Sequence, residues 1–252
     1  MTNPAVVHIY DYLVQYTRRM MLDVSTDADR TLDVLDWGSG KGHITSLCQD
    51  HFPEARVVSC DVTGDDVADD STFGQTTPLI ERRGIDVVPL RDPIELPFDD
   101  ASFDAVLSFG VLEHVANDVR SLSEIRRVLR PGGHLFCYFL PRRWSWTQWV
   151  ERRRGCTYHD RLYDRHQVRA MLRMTGYDLV DLWHRQLLPK NSFRYPSTRA
   201  FERLDQTLVR WTPLRYLTTN LEFVARRACV PGTDGKLGEQ SSQPETSARK
   251  AA

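Results

Sequence analysis

Residues 36–42 read Asp36-Trp37-Gly38-Ser39-Gly40-Lys41-Gly42, an acid followed by glycines at alternate positions. Glycines so spaced allow a tight turn and a close backbone approach to a ligand. The helical pattern that follows would open with unsatisfied N–H groups. A pyrophosphate at that helix start would be repelled by the neighbouring carboxylate, whereas a ligand carrying an ammonium group would be welcomed. Asp61 ends the next apolar run, about 20 residues beyond the loop, where an acid accepts hydrogen bonds from both ribose hydroxyls. Asp92, after a third run, is placed to meet an adenine amino group. The three acids together suggest a site for a nucleoside bearing a sulfonium amino acid. His114 follows a fourth run and is a candidate general base, or alternatively a site-lining residue that orients a loop. Glu113 beside it reads as structural, and His159 and His166 are further candidate bases.

Positioning these residues requires alternating strands and helices. Strands are expected at Thr31–Trp37, Arg56–Val62, Ile85–Leu90, Phe103–Phe109, His134–Leu140, Tyr177–Leu188 and Asn220–Arg226. Helices are expected at 5–22, His43–His51, near Thr77–Arg83, Asn117–Arg130 (stopped by Pro131-Gly132-Gly133), Arg165–Thr175 and Ala200–Trp211. Such alternation implies parallel pairing with helices on both faces of a sheet, and ligands at the carboxyl ends of its strands. All three acids fall at those ends, as does Phe109.

Composition narrows the class. The 252 residues are 41% apolar and 27% charged, as in an ordinary globular protein. No apolar run approaches the roughly 20 residues of a spanning helix, and no signal peptide is read. Five scattered cysteines with no C-x-x-C pair argue against a structural zinc site and a disulfide framework, so no metal ligand set is read and a cytoplasmic setting is expected. The net charge of -1 hides an asymmetry. Residues 1–140 hold 12 Lys+Arg against 23 Asp+Glu, and residues 141–252 hold 21 against 11. A basic second half suits an anionic partner. Within it, Arg142-Arg143-Trp144-Ser145-Trp146-Thr147-Gln148-Trp149-Val150-Glu151-Arg152-Arg153-Arg154 reads two ways. One is a lid gripping an anionic or lipid-linked acceptor, with peripheral membrane contact at the inner face. The other is a helix with a Trp core face and a solvated basic face. Stacking on single-stranded nucleic acid ranks third, and no nucleic-acid partner is expected. Residues 231–252, nearly devoid of apolar side chains, read as a disordered tail.

The motifs between 34 and 140 resemble the class I S-adenosylmethionine-dependent methyltransferase superfamily, in its small-molecule branch. Val34-Leu35-Asp36-Trp37-Gly38-Ser39-Gly40-Lys41-Gly42 matches the nucleotide loop and Asp61 the ribose acid. Asp92 stands four residues before Leu96-Pro97-Phe98, as in the family's D-x-x-x-L-P-F segment. Ser102-Phe103-Asp104-Ala105-Val106, Val111-Leu112-Glu113-His114-Val115 and Glu124–Gly133 match the fourth strand, its exit, and the helix and turn before strand five. Several ordered motifs are more specific than any one. Two residues depart from the pattern: Pro93 lacks the N–H that often meets the adenine ring, and Trp37 is bulkier than usual.

The resemblance implies an α/β, Rossmann-like fold: a mostly parallel seven-stranded sheet with helices on both faces and an antiparallel last strand. It implies a single domain over 1–230, with the cofactor core at 31–140, a substrate or lid region at 141–218 and the last strand at 219–227. S-adenosyl-L-methionine is the implied cofactor, held by Asp36, Gly38, Ser39, Gly40, Gly42, Asp61, Asp92, Pro93 and Phe109. The expected activity is O-methylation of an anionic or glycosylated small-molecule or lipid-linked acceptor. The alternatives are C-methylation of a quinone-like ring and a non-catalytic cofactor-binding partner. The N-terminal helix and 142–164 are expected to close over the acceptor pocket.

Overall fold

The computed structural model describes residues 4–24, 30–62, 79–155, 159, 161–188 and 198–229. Strands β1 (Leu32–Trp37), β2 (Ala55–Val62), β3 (Val87–Leu90), β4 (Phe103–Phe109), β5 (Leu129–Pro141), β6 (Tyr177–Arg185) and β7 (Asn220–Arg227) form one sheet in the order β3-β2-β1-β4-β5-β7-β6. The sheet is mixed: β1 to β5 pair in parallel, while β7 lies antiparallel to both β5 and β6. The order reverses at β1 and β4, so the crevice between their carboxyl ends is the switch point where such sheets bind ligands.

Side-chain alternation along the strands separates two cores. Val34, Ala105, Leu107, Phe136, Tyr138 and Val224 face helices α1 (Pro4–Val24) and α2 (His43–His51). Leu35, Val106, Leu135, Cys137, Phe223 and Ala225 face α4 (Asp118–Val128) and α6 (Arg165–Met174). Between them in sequence lies α3 (Leu79–Arg83), within the helix expected near Thr77–Arg83, whose first two residues lie outside the described ones. Helix α7 (Thr198–Trp211) packs beside α1 and β6, and Asp205 Oδ1 accepts the N–H groups of Leu187 (3.0 Å) and Leu188 (2.7 Å).

Helix α1 lies against the domain, with Ile9, Leu13, Val14 and Met21 buried against the sheet. Toward the carboxyl edge Tyr10 packs edge-on to Phe109 and Phe139. One expectation needs correction: helix α4 does not run on to Arg130. Leu129 is already extended and pairs with Phe103, because a parallel partner is available for the backbone there. The tail expected at 231–252 lies outside the described residues.

The amino-terminal edge of the sheet is closed by ion pairs. Asp104 accepts from Arg30 at 2.7 Å and from Arg130 at 2.6 Å, and Arg130 also reaches Asp33 at 2.9 Å. Among the described residues, the carboxyl edge around β1 and β4 is built of glycines, acids and aromatics, with the Arg185–Glu222 ion pair at its β6–β7 end.

Candidate active site

Loop 38–42 is shaped by positive φ at Gly38 (75°), Gly40 (50°) and Gly42 (76°). Gly38 also admits a neighbour, since a Cβ there would lie 2.5 Å from Val111 Cγ2. At Gly40 a Cβ would meet nothing within 4 Å, so the loop presents bare backbone to open space. The N–H groups of Gly38 and Ser39 are both held by the Cys60 carbonyl, which ties the loop to β2. Ser39 Oγ is buried without a hydrogen-bond partner, an orphaned hydroxyl that a bound polar group would satisfy.

Asp61, at the end of β2, accepts from the Gly40 N–H and, at 2.7 Å, from the Val62 N–H. Its carboxylate therefore already abuts the loop where a ribose-binding acid is expected. Asp36 is placed differently. It is 1% exposed, and its Oδ2 accepts from the Thr45 N–H at 3.1 Å and the Thr45 hydroxyl at 2.6 Å. Helix α2 has Gly42 as its N-cap, which offers no side chain; Asp36 supplies the missing acceptor from nine residues upstream. Burial, only partly offset by these bonds, pushes its carboxyl up to about 6. Asp36 thus acts beneath the loop rather than at its surface.

Asp92 Oδ1 accepts from the N–H groups of Ile94 (2.7 Å) and Glu95 (2.8 Å), and those bonds hold its carboxyl below the usual carboxylate range. This turn needs no N–H from Pro93, which is exposed. Oδ2 takes part in neither bond. Trp37 is buried in the α4/α6 core and does not line the loop. Phe109 packs tilted against Tyr138 at 4.7 Å and lies 6.2 Å from Phe139, whose φ of 62° is strained for a bulky residue.

Past β4, Gly110 (φ 69°) turns the chain so that Glu113 is buried and His114 is half-exposed. Burial pushes the Glu113 carboxyl up to about 7. The His114 and His159 rings lie 6.1 Å apart, so the structure brings two of the three candidate histidines together. His166 sits instead in the first turn of α6, where its N–H donates to Asp164 Oδ1 at 2.8 Å.

The Arg/Trp segment follows neither sequence reading fully. Helix α5 (Trp146–Arg153) is capped by Ser145 and buries Gln148. Trp146 donates to the Leu187 carbonyl at 2.6 Å, whereas Trp144 and Trp149 are 65% and 56% exposed, so there is no Trp core face. Arg153 lies 4.0 Å over the Trp149 ring. Arg142 is buried and donates to the carbonyls of Trp144 and Tyr216. Beside it an open cleft of about 430 Å³ is lined in part by Val119, Arg143, Arg161, Tyr163 and Met171. Arg161 ties this cleft to the 111–116 turn through the carbonyls of Val115 and Ala116.

Sequence reasoning missed Thr45, Val111 and Phe139. The contact with Thr45 had a faint signal, since a helix whose N-cap is glycine needs an acceptor from elsewhere.

A family model described as a methyltransferase domain matches residues 35–137. That stretch is thus similar to methyltransferase domains. The matched stretch runs from within β1 to within β5 and contains the glycine loop, Asp36, Asp61, Asp92, Phe109 and the turn carrying Glu113 and His114. An uncharacterised methyltransferase of Schizosaccharomyces pombe is 30% identical over 128 residues, covering 50% of this chain and 42% of that protein. A demethylmenaquinone methyltransferase of Symbiobacterium thermophilum is 31% identical over 146 residues, covering 49% of this chain and 58% of that protein. The chain therefore spans less than two thirds of the length of these curated relatives. Among solved structures, the 1,6-didemethyltoxoflavin-N1-methyltransferase of Burkholderia thailandensis, with bound S-adenosylhomocysteine, superposes with a TM-score of 0.52. It is 20% identical, and the match covers 87% of this chain and 79% of that one. The shared architecture extends past the matched stretch into β6 and β7.

Proposed function

We propose that this chain transfers a methyl group from S-adenosyl-L-methionine to an oxygen of a small-molecule, sugar-linked or lipid-linked acceptor that is anionic or glycosylated. The observation that carries the reading is the open backbone at Gly40 beside the Asp61 carboxylate and the orphaned Ser39 hydroxyl. Asp61 is assigned the ribose hydroxyls. Gly38, Ser39, Gly40 and Gly42 are assigned the amino-acid end, with Asp36 acting on its ammonium through the field beneath. Asp92 Oδ2, Pro93 and Phe109 are assigned the adenine side. The cofactor supplies a methyl group that is already activated. The chain's own task is to align the acceptor, exclude water and remove the acceptor's proton, the last assigned to His114.

The acceptor class is argued from the second half. Arg143 and Arg161 line the cleft beside the 111–116 turn, and guanidinium forks suit phosphate or carboxylate. Exposed Trp144 and Trp149 suit sugar faces or a membrane interface. Among the described residues, no helix is long and apolar enough to cross a membrane. C-methylation of a quinone-like ring is the second reading, favoured by the likeness to the demethylmenaquinone methyltransferase.

The test is calorimetric titration of S-adenosylhomocysteine into the wild type and Asp61→Ala, with a nicotinamide dinucleotide as control. Losing two charge-assisted hydrogen bonds should weaken binding by about 10- to 100-fold or more, and the dinucleotide should not bind. Failure of S-adenosylhomocysteine to bind would sink the reading. Binding without turnover across phosphorylated, glycosylated and quinone acceptors would point to a non-catalytic partner.

A further inference from the structure

The turn after β4 and the chain at residue 159 bring three metal-ligating side chains to one point. Glu113, His114 and His159 each offer a ligand atom, and these atoms lie within 4.8 Å of one another. Their placement is specific. Glu113 is 3% exposed, and its Oε2 is buried with no hydrogen-bond partner. A buried carboxylate oxygen left without a donor is costly, and a cation repays that cost. Oε1 lies 3.9 Å from His114 Nε2.

We infer that Glu113, His114 and His159 form a binding site for a divalent first-row transition metal of the zinc type. One carboxylate with two imidazoles is the donor set such ions prefer, whereas magnesium and calcium favour all-oxygen sites. Tetrahedral zinc with bonds of about 2.0–2.1 Å places its ligand atoms roughly 3.3 Å apart. The observed spread of up to 4.8 Å would close to that distance on metal binding. Three protein ligands leave a fourth position open, as in sites that bind a water or a substrate atom. The position is at the carboxyl edge of β4, one turn from Val111, which packs on Gly38. His114 is also the residue assigned the acceptor's proton, and an imidazole bound to metal cannot take it; the metal titration is read without turnover, so its failure leaves that assignment standing.

The full chain, stripped with chelator and free of cofactor, would be titrated with Co²⁺ while visible d–d absorption is followed, and with Zn²⁺ by calorimetry. One equivalent of Co²⁺ with the intense absorption of a four- or five-coordinate site is expected, displaced by Zn²⁺ and not by Mg²⁺. His114→Ala and His159→Ala should each weaken binding at least about tenfold, since each removes one of three ligands. Both positions are at least partly exposed, and circular dichroism checks that each variant folds. Absence of the Co²⁺ band in the wild type would overturn the site. Binding of undiminished strength in the two histidine variants would overturn it equally, by placing the metal on other residues.

Discussion

Asp36→Asn separates the structural work of the acid beneath the loop from its charge. The carboxylate is 1% exposed and its Oδ2 holds the first turn of α2 through Thr45. Desolvation is the largest influence on it, the Thr45 bonds oppose that influence, and the nearby Asp61 charge reinforces it, which together raise the carboxyl from 3.8 to about 6. At 1.36 kcal/mol per unit, this corresponds to about 3 kcal/mol. Between pH of about 4 and about 6 the folded protein binds a proton that the unfolded chain has lost. Stability therefore falls as pH rises through that window and stays lower above it. An asparagine accepts the same bonds with no charge to desolvate. The stability of the variant relative to wild type should thus rise by about 2–3 kcal/mol from pH 4 to pH 7. A constant offset from the new amide N–H groups leaves that slope untouched. Urea unfolding at half-unit pH steps, with unchanged m values, reads it directly. Two parallel stability–pH curves, or a gap that narrows toward neutrality, would refute the assignment. S-adenosylhomocysteine affinity should move the opposite way and weaken in the variant, because the field that attracts an ammonium group is gone.

Other outcomes follow from the same geometry. Gly38→Ala combines a left-handed backbone with a clash against Val111 and should cost about 2–5 kcal/mol in urea unfolding. Gly40→Ala meets no neighbour, so it should cost only about 1–2 kcal/mol of backbone strain while markedly weakening S-adenosylhomocysteine binding; equal stability losses in the two variants would contradict this. The hydroxyls of Thr17 and Tyr138 pair at 2.9 Å with both residues fully buried. Tyr138→Phe should cost about 1–3 kcal/mol, and adding Thr17→Val should cost much less than its own single-variant loss, as a double-mutant cycle would read. Arg185 pairs with Glu222, which is 0% exposed. Arg185→Met should destabilise by about 3–5 kcal/mol in thermal or urea unfolding, and Arg185→Met/Glu222→Leu should recover most of it.

How much was legible in the sequence differs by element. The ends of β4 and of helix α2 were readable because a buried strand is a continuous apolar run and the helix follows its glycines directly. Asp61 was readable because its place is set by chain order. What Asp36 touches was not readable. Its position marks the loop, but the direction of its carboxylate depends on Thr45 and Ser59, which only packing brings alongside. Asp92 was read as facing adenine, whereas two bonds of its own turn engage Oδ1, a local competition that residue type alone does not resolve. The pairing of His114 with His159 was invisible because 45 residues separate them, and the second half has no motif to set the distance. The Arg/Trp segment resisted for a different reason. A short helix at the rim buries few side chains, so its apolar residues do not announce which way they face.

The position of β7 has a consequence for how the chain is made. Because β7 inserts between β5 and β6, neither neighbour can complete its pairing until the last strand has been synthesised. At about 5–20 residues per second, Asn220–Arg227 emerges about 4–18 s after Leu129–Pro141. Throughout that interval β5 carries the aromatic run Phe136-Cys137-Tyr138-Phe139 on an uncovered sheet edge, a template for pairing with any other nascent strand. The stretch at 35–137 is thus translated well before the edge that protects it, and the vulnerable period of this protein's life is set by the distance along the chain between its fifth and seventh strands.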